Sequence, residues 1–490
     1  MPPLVVQKTV ILPPPSDDDR RAHDQRLRDT LGVADLEIPL PLLRSGHDRL
    51  LRGGELSCVL GATDSRPRLI ALDRRRSYSV ALDLGTTNLV ALLYDNIARK
   101  DVLTRSLENP QIEFGSDILT RLHHAMSGNG ADDVYRVLVN GVNALIADLC
   151  RGASVNTQDI HALAAAGNTS MTHFFLGLDV STIPLAPWVP VVRTPGFRTA
   201  AELRLDIHPE GLVYAFPNAG SYVGGDITAG IIAAGMHTAA RPSLLVDVGT
   251  NAEVVIGDRE WMIVGAGAAG PALEEGISAI GKRAGSGIVY DVEITEQAVS
   301  CRTFDEAAPE GICGSGMISL LYEMHKAGII DQTGTFTSDR RVRETGGEKA
   351  FPLSCGGSGN LVITQAEVRN FMRSKAAMFT LLLALTRSVG VSFRDVERVY
   401  VSGALGTGID VKKAAGIGMV PAWPADIVQA LGNTSLAGCR MLLEDAGIAS
   451  TADRLVGMIT YKHMHDDPEF MKEFRGALFI PHTDPELLRV

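Results

Sequence analysis

The sequence feature that most constrains the fold is a strand–turn–strand pattern that occurs twice in the chain. The first copy runs from Ser79 to Leu92, and the second begins at Leu244. In both copies apolar and β-branched residues flank an Asp-x-Gly-Thr turn, which predicts a hairpin that is buried on both faces. One such turn is usually an ordinary hairpin. Two copies in equivalent contexts predict two related halves within one chain.

Each residue of the repeated turn suits phosphate binding. The glycines give the backbone the φ freedom that lets its N–H groups face outwards as an anion-binding nest. Threonine hydroxyls add donors for phosphate oxygens, and the aspartates at the strand ends can hold Mg²⁺ through its water ligands. The two turns together are therefore predicted to grip a polyphosphate from opposite sides. The predicted phosphate-binding residues are Gly85, Thr86, Thr87, Asn88, Gly249, Thr250 and Asn251, with Asp83 and Asp247 as the catalytic and Mg²⁺-binding residues.

Three further turns of small residues follow in the second half of the chain. Residues 265–276 read as a glycine–alanine loop that enters a helix, and residues 311–317 begin another helix in the same manner. Such turns allow a nucleotide to approach the backbone closely. Residues 402–406 follow a strand and suit a planar adenine, because only Leu405 among them is bulky. The nucleotide-binding residues predicted from these turns are Gly267, Gly270, Gly314, Ser315, Ser402, Gly403 and Gly406.

Composition narrows the classes of protein and of partner. The 490 residues are 45% hydrophobic, which is enough to bury the cores of two or three domains. A net charge of −11 and the absence of a Lys/Arg stripe argue against a nucleic-acid partner. The N-terminal apolar run is too short for a signal peptide, and residues 376–386 are too few to span a bilayer. We therefore expect a cytoplasmic protein without a membrane partner.

The six cysteines are scattered along the chain without a C-x-x-C pair. Such spacing is typical of reduced thiols in a cytoplasm, and it argues against a zinc ribbon or a self-contained iron–sulfur cluster. Cys313 stands in a glycine turn with no cysteine close to it in sequence, so we interpret it as a small packing residue.

Three domains are predicted: an N-terminal linker or middle module over 1–77, a first lobe over 78–240 and a second lobe over 241–490. The predicted elements include strands at 4–12, 55–61 and 68–73, and a helix at 20–31. Longer helices are predicted at 132–151 and 367–389, and a helix capped by Ser116 follows residue 115. A turn at 167–170 is equally consistent with a ligand contact and with a helix cap. We also expect a surface excursion over 331–360 and a strand at 477–480.

The order of these motifs carries a resemblance. The chain has a hairpin, a Gly-Asn-Thr turn, a second hairpin and a Ser-Gly-x-x-Gly turn, in that order. This order resembles that of the actin-like ATPases, in which the corresponding motifs are called phosphate-1, connector, phosphate-2 and adenosine. Within that superfamily the chain resembles the reductive activators of corrinoid proteins over about residues 78 to 480. The resembling motifs are Asp83-Leu-Gly-Thr-Thr, Asn109-Pro-Gln-Ile-Glu-Phe-Gly-Ser-Asp, Gly167-Asn-Thr-Ser-Met, Gly224-Gly-Asp-Ile, Asp247-Val-Gly-Thr-Asn-Ala-Glu, Ala268-Ala-Gly-Pro-Ala, Gly311-Ile-Cys-Gly-Ser-Gly and Asn433-Thr-Ser-Leu-Ala-Gly.

The resemblance implies an α/β protein: a two-lobed actin-like ATPase with a ribonuclease H-like duplicated fold and a small N-terminal α+β linker/middle domain. It implies ATP and Mg²⁺ as ligands, and a reaction that returns cob(II)alamin to cob(I)alamin on a partner corrinoid protein of a methyltransferase system. ATP is needed because this reduction is uphill for ordinary cellular donors. A homodimer is also expected. O-demethylase, methylamine and methionine-synthase-type corrinoid proteins all remain open as clients.

The chain departs from the family pattern in one respect. Family members commonly carry a plant-type [2Fe–2S] domain ahead of the linker, or a clostridial-type cluster domain at the C-terminus. This sequence has neither cysteine spacing. We therefore expect no iron–sulfur cluster in this chain, and a separate ferredoxin or flavodoxin-type electron donor. The segments around Trp188 and over 331–360 are the expected docking surface for the client.

Other functions remain open from the residues alone. Asp206-Ile-His-Pro-Glu-Gly211 matches a cobalamin-binding pattern, but a six-residue match arises often by chance, so we interpret His208 as a loop residue. A small-molecule kinase would need a general base, and no aspartate in a sugar-kinase-like context stands out. A dehydratase activase would need two cysteines per subunit for a shared cluster. A nucleotide-sensing interaction protein would keep the fold without corrinoid-linked turnover.

Overall fold

The computed structural model describes residues 2–63, 66–249, 251–267, 278–282, 284–353, 361–403 and 409–490, with the backbone alone at residue 465. The chain forms two compact units. The first contains Met1–Ala233 and Ser435–Met458, and the second contains Ala234–Thr434 and Ile459–Val490. The division into domains at residues 77 and 240 stays a prediction.

The N-terminal part of the first unit is an antiparallel sheet of strand order β1-β2-β3 with two helices packed on it through leucines. Its strands and first helix confirm the sequence prediction. The second helix is not among the sequence predictions. A Cβ at Gly46 would lie 2.8 Å from Leu72 Cδ1, so glycine lets this helix approach the last strand. The elements are β1 Val5–Leu12, α1 His23–Leu31, α2 Leu40–Arg52, β2 Gly54–Gly61 and β3 Arg68–Leu72.

The larger sheet of the first unit has the order β6-β5-β4-β7-β9-β8. Its central strand β4 pairs antiparallel with β5 and parallel with β7, and long helix α4 buries its apolar residues in the same core. The elements are β4 Tyr78–Leu84, β5 Asn88–Asp95, β6 Lys100–Glu108, α3 Ile118–Ala125, α4 Gly130–Ala153, β7 Ile160–Gly167, α5 Thr169–Leu176, β8 Phe197–Thr199, β9 Leu212–Ala215 and α6 Gly225–Ala233. Two later helices also pack in this unit: α10 Thr434–Glu444 and α11 Gly447–Met458. Thr434, the first residue of α10, belongs to the second unit.

The cap of α3 differs from the prediction. Asp117, not Ser116, is the N-cap residue, and its Oδ1 accepts a hydrogen bond of 3.0 Å from the Thr120 amide. Both residue types are good caps, so sequence alone does not separate two neighbours.

The large sheet of the second unit has the order β20-β19-β10-β11-β12-β21. Its central strand β10 pairs antiparallel with β11 and parallel with β19, as β4 does with β5 and β7. This repeated order is the duplication that the two hairpins predict. The strands are β10 Ser243–Val248, β11 Ala252–Gly257, β12 Met262–Gly267, β13 Ile288–Ile294, β14 Val299–Thr303, β15 Gly311–Ile312, β16 Arg343–Thr345, β17 Glu348–Pro352, β18 Val362–Thr364, β19 Arg398–Gly403, β20 Val428–Gly432 and β21 Ile459–Tyr461.

Two segments of the second unit correct the sequence predictions. Residues 331–353 are not only a surface excursion, because Phe336 and Phe351 are buried in the core and β16 and β17 form a small sheet with β18. The predicted strand at 477–480 is wrong, since Ala477 is the last residue of a helix whose apolar face packs inwards. The helices of this unit are α7 Gly314–Lys326, α8 Gln365–Ser388, α9 Val411–Gly416 and α12 Phe470–Ala477.

Within the described ranges, no helix is both long and apolar enough to cross a membrane. Four cysteines are free and buried: Cys58, Cys150, Cys313 and Cys439. Cys301 is disulfide-bonded, which corrects the expectation that every thiol is reduced. Sequence spacing does not reveal such a bond, because it depends on which distant segments the fold brings together. Cys355 lies outside the described residues.

Candidate functional site

The first predicted phosphate turn joins β4 to β5 and lies in the first unit. Asp83 and residues 85–88 are all partly exposed, so a ligand can reach part of each residue. Gly85 is required here for a reason other than the predicted φ freedom, since its φ is not positive. A Cβ at Gly85 would lie 2.3 Å from the carbonyl oxygen of Asn88. Glycine therefore lets the turn close tightly.

Asn109 braces this turn from the side. Its Nδ2 donates a hydrogen bond of 2.9 Å to the Gly85 carbonyl, and its backbone N–H donates one of 2.8 Å to the Thr87 carbonyl. The Asn109 side chain is fully buried and also caps the short 3-10 helix Pro110–Phe114. The Asn109-Pro-Gln motif thus holds the turn in shape rather than facing solvent itself.

A second brace comes from Arg121 on α3, a residue that sequence reasoning missed. Its Nη1 donates a 2.7 Å hydrogen bond to the Thr86 carbonyl, and its Nε donates a 2.8 Å bond to the Gly115 carbonyl. Arg121 is fully buried, and burial lowers the pKa of its guanidinium. A buried cation therefore fixes the centre of the turn from behind. No local sequence signal marks it, because Arg121 stands 35 residues from Thr86.

Asn168 connects the same turn to α5. Its Oδ1 accepts from the Met171 amide at 2.9 Å, which makes it the N-cap of α5. Its Nδ2 donates to Thr86 Oγ1 at 2.9 Å. A Cβ at Gly224 would lie 2.3 Å from Asn168 Cα, so that glycine lets the start of α6 approach this cap. Asn168 serves as a helix cap, and its side-chain amide also orients the hydroxyl of Thr86, a predicted phosphate-binding residue.

A buried thiol lies beneath Asp83. Cys439 on α10 is fully buried, and its Sγ lies 3.6 Å from the Leu82 carbonyl oxygen as a weak donor. Burial, reinforced by the Asp83 carboxylate, raises the pKa of the Cys439 thiol well above its usual range. The thiol therefore stays protonated and places no negative charge beneath the Asp83 carboxylate.

The second phosphate turn begins at the end of β10 in the second unit. Asp247 lies opposite Glu253 on β11 and beside Ser402 on the parallel strand β19. Burial raises the pKa of Asp247, while the neighbouring Ser402 hydroxyl acts in the opposite direction. Ser402 is itself fully buried.

Gly403 shapes the space beside the Asp247 carboxylate. It adopts a φ of +71°, and a Cβ there would lie 2.7 Å from Asp247 Oδ1. Glycine is required at this position by both conformation and space. At Gly249 neither requirement holds, because its φ is not positive and the atom nearest to an added Cβ is 3.9 Å away.

The remaining predicted residues are distributed over other elements. Gly314 and Ser315 begin α7 and are buried, with the Ser315 hydroxyl 3.1 Å from the Cys313 thiol. Cys313 is buried too, as expected of a packing residue. Gly267 is the last residue of β12 rather than part of a loop. Asn251 is exposed in the second turn. Thr250, Gly270 and Gly406 lie outside the described residues.

The structure thus gathers Asp83 and residues 85–88 into one turn, and Asp247, Ser402 and Gly403 into one strand-end cluster. In the described part of the chain, no group of three or more His, Cys, Asp or Glu side chains is arranged to hold a metal ion. His208 is a loop residue, as expected, but it is buried and its ring lies 5.5 Å from that of His161.

Two family models match the chain. Residues 241–490 match the C-terminal domain of RACo, the ASKHA domain, and residues 78–239 match the RACo middle region. The second match covers the segment that is predicted from sequence to form the first lobe. The ASKHA match agrees with the actin-like ATPase fold predicted from the motif order.

Individual proteins agree with the family models. The corrinoid activation enzyme RamQ of Eubacterium limosum is 29% identical over 415 residues, which is 81% of this chain and 69% of the relative. The Co(II) methylated amine-specific corrinoid protein reductase of Methanosarcina barkeri is 25% identical over 79% of this chain and 74% of its own length.

A solved structure extends the likeness to nearly the whole chain. The reductive activator for corrinoid, iron–sulfur protein superposes with a TM-score of 0.91 and 32% identity, covering 99% of this chain and 80% of that one. The match therefore includes residues 1–77, where sequence motifs identify no function. Both the family models and this structure point to one conclusion: the chain belongs to the RACo family of reductive activators of corrinoid proteins.

Proposed function

We propose that this protein is an ATP-dependent enzyme that returns the corrinoid of a partner methyltransferase-system protein from cob(II)alamin to cob(I)alamin. The relatives named for corrinoid activation and for Co(II) corrinoid protein reduction support this role. The observation that carries the ATP dependence is the braced turn at residues 85–88, whose donors are accessible while Asn109, Arg121 and Asn168 hold its shape.

Phosphate binding is proposed for both turns. Preorganised backbone and hydroxyl donors stabilise phosphate charge without further reorganisation, which is the main requirement in phosphoryl transfer. In the first unit Thr86 and Thr87 supply hydroxyls. In the second unit the proposed phosphate contact is the turn that follows Asp247.

The residues also fit Mg²⁺. This ion prefers oxygen ligands and usually keeps several waters, so one or two carboxylates suffice to hold it. Asp83 and Asp247 are carboxylates at strand ends of their own units, both partly exposed, and each would hold such an ion through its waters. When bound, Mg²⁺ supplies positive charge that neutralises the phosphate oxygens.

The electron is proposed to come from a separate ferredoxin or flavodoxin-type donor. The free cysteines lie on β2, on α4, before α7 and on α10, and each is buried in its own surroundings. Cluster ligation needs closely gathered thiolates. We therefore propose that this chain acts as an ATP-driven gate for the client's cobalt rather than as an electron carrier. A homodimer and a cytoplasmic location stay predictions.

The test uses the purified chain, a cobalamin-loaded corrinoid protein in its Co(II) state and a chemical reductant under anaerobic conditions. Cob(I)alamin formation should be seen by its absorbance with ATP and be lost without ATP. The chain alone should contain no iron. Equal rates of Co(I) formation with and without ATP would contradict the proposal, as would stoichiometric iron in the protein.

A further inference from the structure

A proline-rich loop of the first unit exposes an unusual amount of apolar surface. The exposed fractions are 55% for Leu185, 37% for Trp188, 55% for Val189, 55% for Val191 and 43% for the nearby Tyr222. The rings of Trp188 and Tyr222 lie 6.2 Å apart. The loop has no charged residue from position 180 to position 192. We call these five side chains the Trp188 surface.

The Trp188 surface is held in place by hydrogen bonds. The Trp188 N–H donates to the Leu185 carbonyl at 2.7 Å, and the Ser221 hydroxyl donates to the Trp188 carbonyl at 2.7 Å. The Thr182 hydroxyl donates to the Val189 carbonyl. Three prolines between positions 184 and 190 further restrict the backbone. The exposed side chains are therefore presented by an ordered loop, which lowers the entropy cost of docking a partner.

Helix α5 joins this loop to the first phosphate turn. The His173 ring is fully buried, and its Nε2 accepts from the backbone N–H groups of Val191 at 3.1 Å and Val192 at 3.4 Å. Its Nδ1 lies 2.7 Å from the Thr169 carbonyl, to which it donates. The same helix begins at Asn168, which holds the Thr86 hydroxyl.

A second contact ties the start of α5 to the other side of the surface. The Thr169 hydroxyl donates to the Gly220 carbonyl at 2.6 Å, next to Ser221 and Tyr222. Asn168 and His173 are five residues apart, about 7.5 Å along a helix. The Thr86 hydroxyl can donate to a phosphate while its oxygen accepts from Asn168 at one end of α5. The loop is attached to the same helix about one and a half turns away.

The size and charge of the Trp188 surface indicate its occupant. Five side chains that are roughly half exposed amount to a few hundred Å², which is about the size of a functional patch on a monomer. Obligate dimers bury about 2,000 Å² or more. A permanent interface with a second copy would therefore need much more apolar surface. The uncharged loop also lacks the cations that nucleic acid requires. A transient protein partner fits both observations.

We propose that the Trp188 surface docks an apolar patch of the corrinoid protein client, and that α5 couples this docking to the nucleotide. The inference rests on the proposed function and names its docking surface. Coupling of this kind is a free energy shared by two sites, so the nucleotide must change the affinity for the client.

The docking test compares Trp188→Ala and Val189→Ser with the control Ile97→Ser, whose side chain is 55% exposed in a turn of the same unit. The dissociation constant of the Co(II) client is measured by calorimetry, and ATP hydrolysis is measured with and without client. Trp188→Ala should weaken binding at least tenfold and remove the client's stimulation of ATP hydrolysis. Val189→Ser should act in the same direction, with basal hydrolysis unchanged in both. The control should behave as the wild type does.

Wild-type protein that neither binds the client nor responds to it would overturn the proposed function, and this docking assignment with it. Client binding by Trp188→Ala within twofold of wild type would overturn the docking assignment alone. A dimer that dissociates in Trp188→Ala, seen by sedimentation, would reassign the surface to a second copy. Loss of binding to phosphatidylcholine vesicles in this variant would reassign it to a membrane.

The coupling is tested first without any variant. Wild-type affinity for the client should differ at least threefold between a non-hydrolysable ATP analogue and ADP. His173→Gln should retain client binding and bring this ratio close to one, because the link from α5 to the loop amides is altered. A wild-type ratio of one would overturn the coupling while leaving the docking surface in place. If folded His173→Gln keeps the wild-type affinity ratio, the coupling does not pass through the contact between the His173 ring and the loop amides.

Discussion

Replacing Arg121 with methionine tests whether the first phosphate turn depends on its buried brace. The substitution keeps an unbranched apolar stem but removes the donors to the Thr86 and Gly115 carbonyls. Hydrogen bonds from a charged donor contribute about 1.5–3 kcal/mol each, so about 3–6 kcal/mol is lost. Relief from burying a charge offsets part of this loss. We expect the free energy of unfolding to fall by about 2–4 kcal/mol.

The same substitution should affect nucleotide binding more than stability alone explains. Without Arg121 the Thr86 carbonyl is no longer held, and the turn loses its preorganisation for phosphate. We expect the KM for ATP to rise about ten- to hundredfold, which corresponds to about 1.4–2.7 kcal/mol. Urea unfolding and steady-state ATP hydrolysis measure the two effects.

The matched control is Arg136→Met on α4. Arg136 is exposed and forms a surface ion pair with Asp133, which contributes little to stability. The control should show wild-type unfolding and wild-type ATP kinetics. The reasoning is refuted if Arg121→Met unfolds at the wild-type urea concentration and keeps the wild-type KM.

Two further predictions concern other buried or ionisable groups. Asp83→Ala and Asp247→Ala should each abolish Mg²⁺-dependent ATP hydrolysis with nearly unchanged melting of the nucleotide-free protein, and normal hydrolysis in both would show that the site is assigned wrongly. Burial lowers the pKa of Lys375 to about 7 from a usual value of 10.5, while its Nζ donates to the Phe479 and Pro481 carbonyls. Between pH about 7 and about 10.5 the unfolded state then binds more protons than the folded state. The free energy of unfolding should therefore rise with pH across this range and stay constant below pH about 7. Lys375→Met should remove this rise in urea unfolding curves, and an unchanged rise would assign it to other groups.

Local patterns determined the parts of this protein that depend on neighbouring residues. Alternating apolar residues around an Asp-x-Gly-Thr turn predicted β4 and β5, and again β10 and β11, because strand periodicity and turn chemistry act within about ten residues. The motif order then predicted the duplicated fold and the family. Ser116 and Asp117 show the limit of this reasoning, because two adjacent residues of similar capping strength differ only in the backbone that tertiary packing imposes.

Only the tertiary structure decided which residues support the site. Arg121 and Asn168 reach Thr86 across 35 and 82 residues, and Cys439 lies beneath Asp83 from a helix more than 350 residues later. Helices α10 and α11 lie in sequence between β20 and β21 of the second large sheet, yet they pack in the first unit, where the Tyr94 hydroxyl donates to Glu444. Burial of a polar side chain and its choice of partner depend on segments that are distant in sequence, and a local pattern carries no information about them.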